Sequence, residues 1–348
     1  MESTKNRYKA PEVSIVIVAR NPLYLKNCLK SIQKSRKEDI EIIVSDNSEN
    51  DDILNILNKF NNMKIKSIKN MLNVGHASGT NIAVKEARGH FIFKLDEDTE
   101  IKENCINELL RVIKKNEKIA CVSPTIMEQG CQKKVQSVGL FIDSLGFTYN
   151  ISNLEIWNNP YNFPFPIFFP PGPAFLLRRD IIKNVSIMDD VFDGDYFIWG
   201  DDLDLGWRIL LAGYISLSVP KAISYHRKAK ALRYYKENTQ FHLTKNQIAS
   251  LIKNYSCKNL FLHLPVLLIL MVGKAVLILR FNSRHTMAIF KGMFWTLFNL
   301  RKIYLKRKIV QSKIRKVQDS YVKKFMFTIN VSLLARSFTK AYIGRDNA

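Results

Sequence analysis

After a polar amino terminus the chain enters Val13 to Ala19, VSIVIVA, an almost unbroken run of apolar and mostly β-branched side chains. A strand with no polar face needs cover on both sides, the condition inside a parallel sheet. Leu25, Leu29 and Ile32 follow at helical spacing behind Pro22, whose fixed φ suits a first turn. The alternation then repeats. Ile40 to Val44 predicts a second strand, Ile53, Leu57 and Phe60 a helix, and Lys64 to Ile68 a third strand. Ala77 to Ala87 predicts a helix and Phe91 to Leu95 a fourth strand. Such alternation with short links is the α/β pattern. Further on, a helix is expected at 103–115, a strand at 119–123 and another at 174–177. A helix through Trp207 should end at Gly213, before a last strand at 215–219. Residues 124–170 read as irregular, because closely spaced prolines are foreign to a sheet interior.

Beyond Lys221 the pattern changes. Residues 260–279 have nearly the length of a membrane-crossing helix, about 20 apolar residues, but His263, Pro265 and Lys274 interrupt them. Met287 to Leu300 is a second, shorter apolar run. On one continuous helix Lys302, Lys306, Lys313 and Lys324 would fall within about 40° of one another. The expectation is a helical region lying on an anionic membrane surface, as a monotopic attachment or a shallow hairpin.

Charge sharpens this division. The 348 residues carry a net +22, yet residues 1–226 hold 28 basic and 28 acidic side chains, and the whole excess lies in 227–348. With 47% hydrophobic residues the chain stands outside the disordered class. A nucleic-acid-binding protein would account for the charge but not for the acidic loops described next, which repel phosphate. Five cysteines without a C-x-x-C pair argue for free thiols rather than a disulfide framework or structural zinc. No apolar run precedes Pro11, so no signal peptide is expected and the cytoplasmic side is the expected location.

In open α/β sheets, ligands bind beyond the carboxyl ends of strands. Three such ends are polar here: Arg20-Asn21, Asp46-Asn47-Ser48 and Asp96-Glu97-Asp98. Asp96 and Asp98 are spaced to hold a hard divalent ion against a phosphate, or they form a solvated loop. Asp46 could accept from a nucleoside or merely close an Asx turn. Asp201, Asp202 and Asp204 exceed what a helix cap requires, so one of them could act as a general base. His226 could add a nitrogen ligand or be a surface residue. Neither G-x-G-x-x-G after the first strand nor G-x-x-x-x-G-K-[ST] is present, which disfavours dinucleotide and P-loop folds.

Taken in order, VSIVIVARN (13–21), IIVSDNS (42–48), NVGHASGTNIAVKEARGHFIFKLDEDTEI (73–101), GPAFLLRR (172–179) and FDGDYFIWGDDLDLGWRILLAGY (192–214) resemble inverting glycosyltransferase family 2, nearest its rhamnosyltransferase-like branch. The resemblance implies the GT-A fold, with a mixed, mainly parallel sheet over residues 1–258 and a hydrophobic and basic helical membrane-association region over 259–348. It implies a nucleotide-sugar donor bound by Ala19, Arg20, Asn21, Asp46, Gly75, Gly79, Asn81 and Asp96. Mg²⁺ or Mn²⁺ would sit on Asp98, Asp96 and His226. Pro171, Gly172, Pro173 and Ala174, with the aromatic Trp199 and Trp207, would line the acceptor side. Asp202 would be the catalytic base, with Asp201 beside it where the family usually has Glu. The implied acceptor is a glycan or a polyprenyl-linked saccharide. A catalytically inactive membrane-bound scaffold for glycan assembly is the alternative. Asp193-Gly194-Asp195 departs from the family's usual Asp-Glu, so the sugar specificity does not carry over.

Overall fold

A computed structural model describes residues 10–35, 39–131, 134–150, 162–227 and 236–328. Strands β1 (Val13–Ala19), β2 (Ile40–Asp46), β3 (Ile65–Lys69) and β4 (Phe91–Leu95) alternate with helices α1 (Pro22–Lys34), α2 (Asp52–Leu57) and α3 (Gly75–Glu86). Next come β5 (Thr99–Ile101), α4 (Cys105–Ile113), β6 (Ile119–Glu128), β7 (Val135–Ser137), β8 (Leu140–Ile142), β9 (Thr148–Asn150), β10 (Phe165–Ile167) and β11 (Ala174–Arg178). They are followed by α5 (Ile182–Val185), α6 (Asp201–Leu211) and β12 (Ile215–His226). The last helices are α7 (Lys236–Asn254), α8 (Cys257–Leu279), α9 (Ser283–Phe298), α10 (Leu300–Ile309) and α11 (Asp319–Lys323).

The main sheet runs β10-β12-β6-β11-β4-β1-β2-β3, with β5 added to β12 and β7 to β6. Strands β1 to β4 pair in parallel, β11 enters antiparallel between β4 and β6, and β12 returns parallel to β6. The unbroken apolar strands are explained by cover on both faces. Ile15 and Ile17 pack with Leu25 and Leu29 of α1 and Leu109 of α4, whereas Val16 and Ile43 meet Ala77 of α3 and Leu205 of α6.

The irregular reading of 124–170 is corrected. β6 continues to Glu128, and β7 to β10 lie within that stretch. Among the described residues β10 pairs with β12 at the end of the sheet order, a place where Pro166 is tolerated. Residues 151–161 lie outside the described residues.

The helices after β12 share a core with the sheet half of the chain. Trp207 and Leu210 of α6 pack in one cluster with Ile248 and Leu251 of α7, Leu267 of α8, Ile289 of α9 and Ile303 of α10. Ion pairs cross the same seam. Lys253 Nζ lies 2.6 Å from Asp193 Oδ2 and 3.0 Å from Asp204 Oδ1. Lys306 also bonds Asp193 and stands 2.6 Å from Asp195 Oδ2, while Lys302 reaches Asp195 Oδ1 at 2.5 Å. The lysine stripe expected to face a membrane is therefore corrected. Lys306 is buried, Lys302 is exposed but paired with Asp195, and the helix breaks at residues 315–318, before α11, so the four lysines do not share one helix.

Among the described residues one helix, α8, is long and apolar enough to cross a membrane. Only 22% of its apolar window is buried. Its Lys274 donates to Gln240 Oε1 of α7 at 3.2 Å, which accounts for a charge in an apolar run. Phe261, Ile269 and Val276 of α8 and Phe294 and Phe298 of α9 are exposed.

Candidate active site

Strand register assembles the site. β4 ends at Leu95 opposite Ala174 of β11, so Asp96 emerges beside Pro173 and its N–H donates to the Pro173 carbonyl at 2.9 Å. Three residues on, β5 pairs with the end of β12, setting Thr99 opposite His226. That register brings His226 Nε2 to 3.3 Å from Asp98 Oδ1. One potential ligand atom from each of Asp96, Asp98 and His226 lies within 4.8 Å of the others. Glu97, between the two aspartates, accepts from the backbone N–H groups of Arg20 and Asn21 at 2.7 and 2.8 Å, tying the exit of β1 to the acidic turn. Burial, with the charges of Asp98 and Asp96, outweighs those amides and pushes its carboxyl up to about 7.

The second group of acids starts α6. Gly200, in the left-handed region, precedes Asp201, Asp202 and Asp204, all in the first turn, where the helix N-terminus favours negative charge. Asp204 turns into the core, 3.0 Å from Arg208 Nε and bonded to Asn254, and is structural. Asp201 is buried against His76, and Asp202 stays partly exposed. Burial and the neighbouring Asp201 charge push the Asp202 carboxyl up to about 7.

A single imidazole joins the two groups. His76 Nε2 lies 3.0 Å from Asp96 Oδ1 and its Nδ1 lies 3.1 Å from Asp201 Oδ2. With carboxylates at both ends, each ring nitrogen donates. Burial and Lys94 oppose the charged ring, but the two aspartates prevail and raise it to about 9. Buried Lys94 completes the cluster, donating to Asp96 and to the Gly172 carbonyl. Sequence reasoning missed His76, Lys94 and Glu97. Lys94 alone had a readable signal, being the one charge inside FIFKL, Phe91 to Leu95.

Other expected residues take different places. Asp46 is buried. Its Oδ1 accepts from the Ser48 N–H and hydroxyl, and its Oδ2 pairs with Lys69 at 3.1 Å, so it forms the turn. Ala19 offers only backbone, its carbonyl accepting from the Asn47 N–H. The exposed Arg20 reaches Glu49 at 3.5 Å, and the Asn21 side chain caps α1. Gly79 brings α3 close to β1: a Cβ there would meet Val18 at 3.0 Å. Gly75 has φ +84°, and a Cβ would strike the Phe197 ring.

Three expectations are corrected. Asn81 is buried and spends its amide on both the N–H and the carbonyl of Phe192, at 2.9 and 2.8 Å, so it braces a loop instead of meeting a donor. Ala174 is fully buried in the sheet core. Trp207 is fully buried against Phe168 and Tyr255 and cannot touch an acceptor. Gly172 lies against Asp202 Oδ2 and the Pro173 carbonyl accepts from the Asp96 N–H, whereas Pro171 is buried; Trp199 is 41% exposed.

The sequence model described as glycosyl transferase family 2 matches residues 14–186. No curated protein sequence matches significantly. Among solved structures the fold is similar to GalNAc-T7, in a structure with UDP, GalNAc and Mn²⁺. The identity is 18% and the TM-score 0.52, covering 70% of this chain and 51% of that one. It is also similar to the mannosyltransferase PcManGT from Pyrobaculum calidifontis, in complex with GDP-Man and Mn²⁺, at 12% identity and TM-score 0.52, covering 87% and 85%. A structure of S. aureus TarS matches at 14% identity and TM-score 0.50, covering 86% and 90%. At these identities the likeness is one of fold, and the chain spans about half the length of GalNAc-T7.

Proposed function

The chain belongs to glycosyl transferase family 2 through residues 14–186, and from that premise we propose inverting transfer of a sugar from a nucleotide-sugar donor to a hydroxyl of a glycan or lipid-linked saccharide. The observation that carries this reading is His76, which holds the Asp96 end of one acid group and the Asp201 end of the other in a single cleft. Donor and acceptor chemistry therefore have adjoining places. Two carboxylates and an imidazole within 4.8 Å are an oxygen-rich donor set that suits Mg²⁺ or Mn²⁺. Asp98 and His226, with Asp96 beside them, would hold such an ion, which when bound supplies positive charge to the leaving diphosphate. Lys94 adds fixed positive charge on the same side. Asp202 takes the proton from the acceptor hydroxyl as that oxygen attacks the anomeric carbon, and the single displacement inverts its configuration. Trp199, exposed at the mouth, offers an aromatic face to the acceptor sugar.

The test is a screen of UDP-, GDP- and dTDP-sugars for nucleoside diphosphate release, with and without chelator, followed by the anomeric configuration of the product. Retained configuration would refute the single displacement. Asp98→Ala should raise the metal concentration for half-maximal activity by about 10- to 100-fold, the scale on which even supporting groups act at such sites. An unchanged metal titration would remove Asp98 from the ligand set.

We also propose that residues 1–258 carry the transferase and that 259–348 attach it to the cytoplasmic face of a membrane. The support is the exposed apolar surface of α8 and α9, beside Arg280 and Arg284. Replacing Ile269, Val276 and Phe298 together by Asn should weaken sedimentation with vesicles containing anionic lipid by 10²-fold or more, since burying each such side chain contributes about 1.5–3 kcal/mol. Undiminished sedimentation would exclude this face as the contact.

A further inference from the structure

Between Phe192 and Asp201 the backbone takes a course that few residues accept. Phe197 stands at φ +61°, ψ −58°, and the Ile198 N–H donates to the Tyr196 carbonyl at 2.6 Å. This is the strained hand of the three-residue γ-turn. Trp199 follows at φ +68° and Gly200 at +77°, and α6 begins at once with Asp201 and Asp202. Backbone of this kind persists only where its surroundings over-determine it.

The carbonyls show what does so. Asp195 O accepts from Lys245 Nζ. Phe197 O accepts from the N–H groups of His76 and Ala77 at 2.6 and 3.3 Å, at the start of α3. The remaining three, Tyr196, Ile198 and Trp199, all accept from one amide, Asn246 Nδ2, at 3.1, 3.0 and 2.5 Å. Lys245 Nζ donates to Asn246 Oδ1 at 2.8 Å, which settles which end of the amide faces the loop. Asn246 is 2% exposed, and both residues sit on α7, outside the 14–186 match.

We infer that Asn246, oriented by Lys245, is a positioning residue for the transfer: it staples the 196–199 carbonyls and so fixes where α6 presents Asp202. The same staple holds the Phe197 carbonyl over His76, which sets the gap between the two acid groups. This rests on the reading of Asp202 as the base. No apolar residue of similar size substitutes, because it would take the donor from the Ile198 and Trp199 carbonyls and leave Tyr196 without its bond to the amide.

The test compares Asn246→Asp, which keeps the shape but reverses the hydrogen bonding, with Asn246→Ala, which adds no charge. Activity is nucleoside diphosphate release from whichever UDP-, GDP- or dTDP-sugar the parent turns over fastest. Both variants should lose about 10²-fold in kcat, the scale of an ångström of misplacement, while KM for the donor stays within about threefold. Hydrogen exchange of amides 195–203 should accelerate at least about tenfold, a readout independent of turnover. Gln311→Ala, which removes the Gln311 amide from the Lys253 and Asn254 carbonyls at the far end of α7 and leaves Arg315 on Asn254, should loosen the helix yet keep kcat. In an Asp202→Asn background, Asn246→Ala should cost less than about threefold more, because its effect runs through that base. Parent-like kcat, unchanged exchange in the folded variants, or losses that simply multiply would each overturn the inference. A fully active Asp202→Asn would instead overturn the base assignment, and the exchange measurement would still judge the staple.

Discussion

Replacing Asp202 by Asn should lower kcat by about 10²- to 10⁴-fold, the usual effect of removing a general base, with nucleotide binding and fold retained. The substitution preserves size, and the Leu203 N–H that donates to Asp202 Oδ1 at 2.8 Å can still find an amide oxygen. What disappears is a carboxylate held near the working pH by burial and by the charge of Asp201, at about 7. A base works when deprotonated, so kcat/KM of the parent should rise with pH through an inflection near 7. Asp202→Asn should lose that limb together with the rate. The measurement is kcat/KM from pH 5 to 9 for the parent, Asp202→Asn and Asp201→Asn. A full loss at Asp201 with none at Asp202 would exchange their roles.

Asp193→Ala should destabilise the fold by about 1.5–3 kcal/mol, the scale of a lost charged hydrogen bond, since it removes the acid shared by two buried ammonium groups and leaves Lys253 with Asp204 alone and Lys306 with Asp195 alone. Lys253 is fully buried and Lys306 nearly so, and Asp193 is the acid they share. Burial alone would push the Asp193 carboxyl up, but the two ammonium groups hold it well below the usual carboxylate range. An acid depressed in the folded state contributes stability above its unfolded pKa, about 3.9, and that contribution is lost as the pH falls towards the folded value. The gap between parent and variant in urea unfolding should therefore be full at pH 7 and narrower at pH 3. Equal stability at pH 7 would mean that water replaces the ion pairs at little cost.

The donor half of the fold was legible for a physical reason. Central parallel strands must be apolar on both faces, so VSIVIVA and IIV announce themselves, and the acidic turn at Asp96 and Asp98 falls at a strand end where the pattern breaks. The part built around α6 and the later helices was not. Ten of the eleven residues of α6 are buried, so the helix has no solvent face against which to read Trp207 as core. Short edge strands such as β10 carry a proline that mimics a loop. Lys253, Lys302 and Lys306 lie in a basic region, where a lysine reads as solvated or lipid-facing, and their acids lie in a different part of the sequence. His76 needed the start of α3, the end of β4 and the start of α6 brought together before its two partners came within reach.

The sequence distance of those ion pairs also orders how the protein comes into being. Asp193 meets Lys253 60 residues later and Lys306 113 residues later. Strands β1 to β4 and their helices can pair with one another while the rest of the chain is still being made, because the pairing of β1 with β2 and β4 and of β2 with β3 lies within the first 95 residues, although α4, β11 and α6 complete their cover later. The loop that aims Asp202 has no such freedom, since its acids find their cations only after α7 and then α10 have emerged. A nascent chain would thus acquire a place for the nucleotide well before it could move a sugar, and catalytic competence would arrive only once the helices that carry the apolar face had been synthesised.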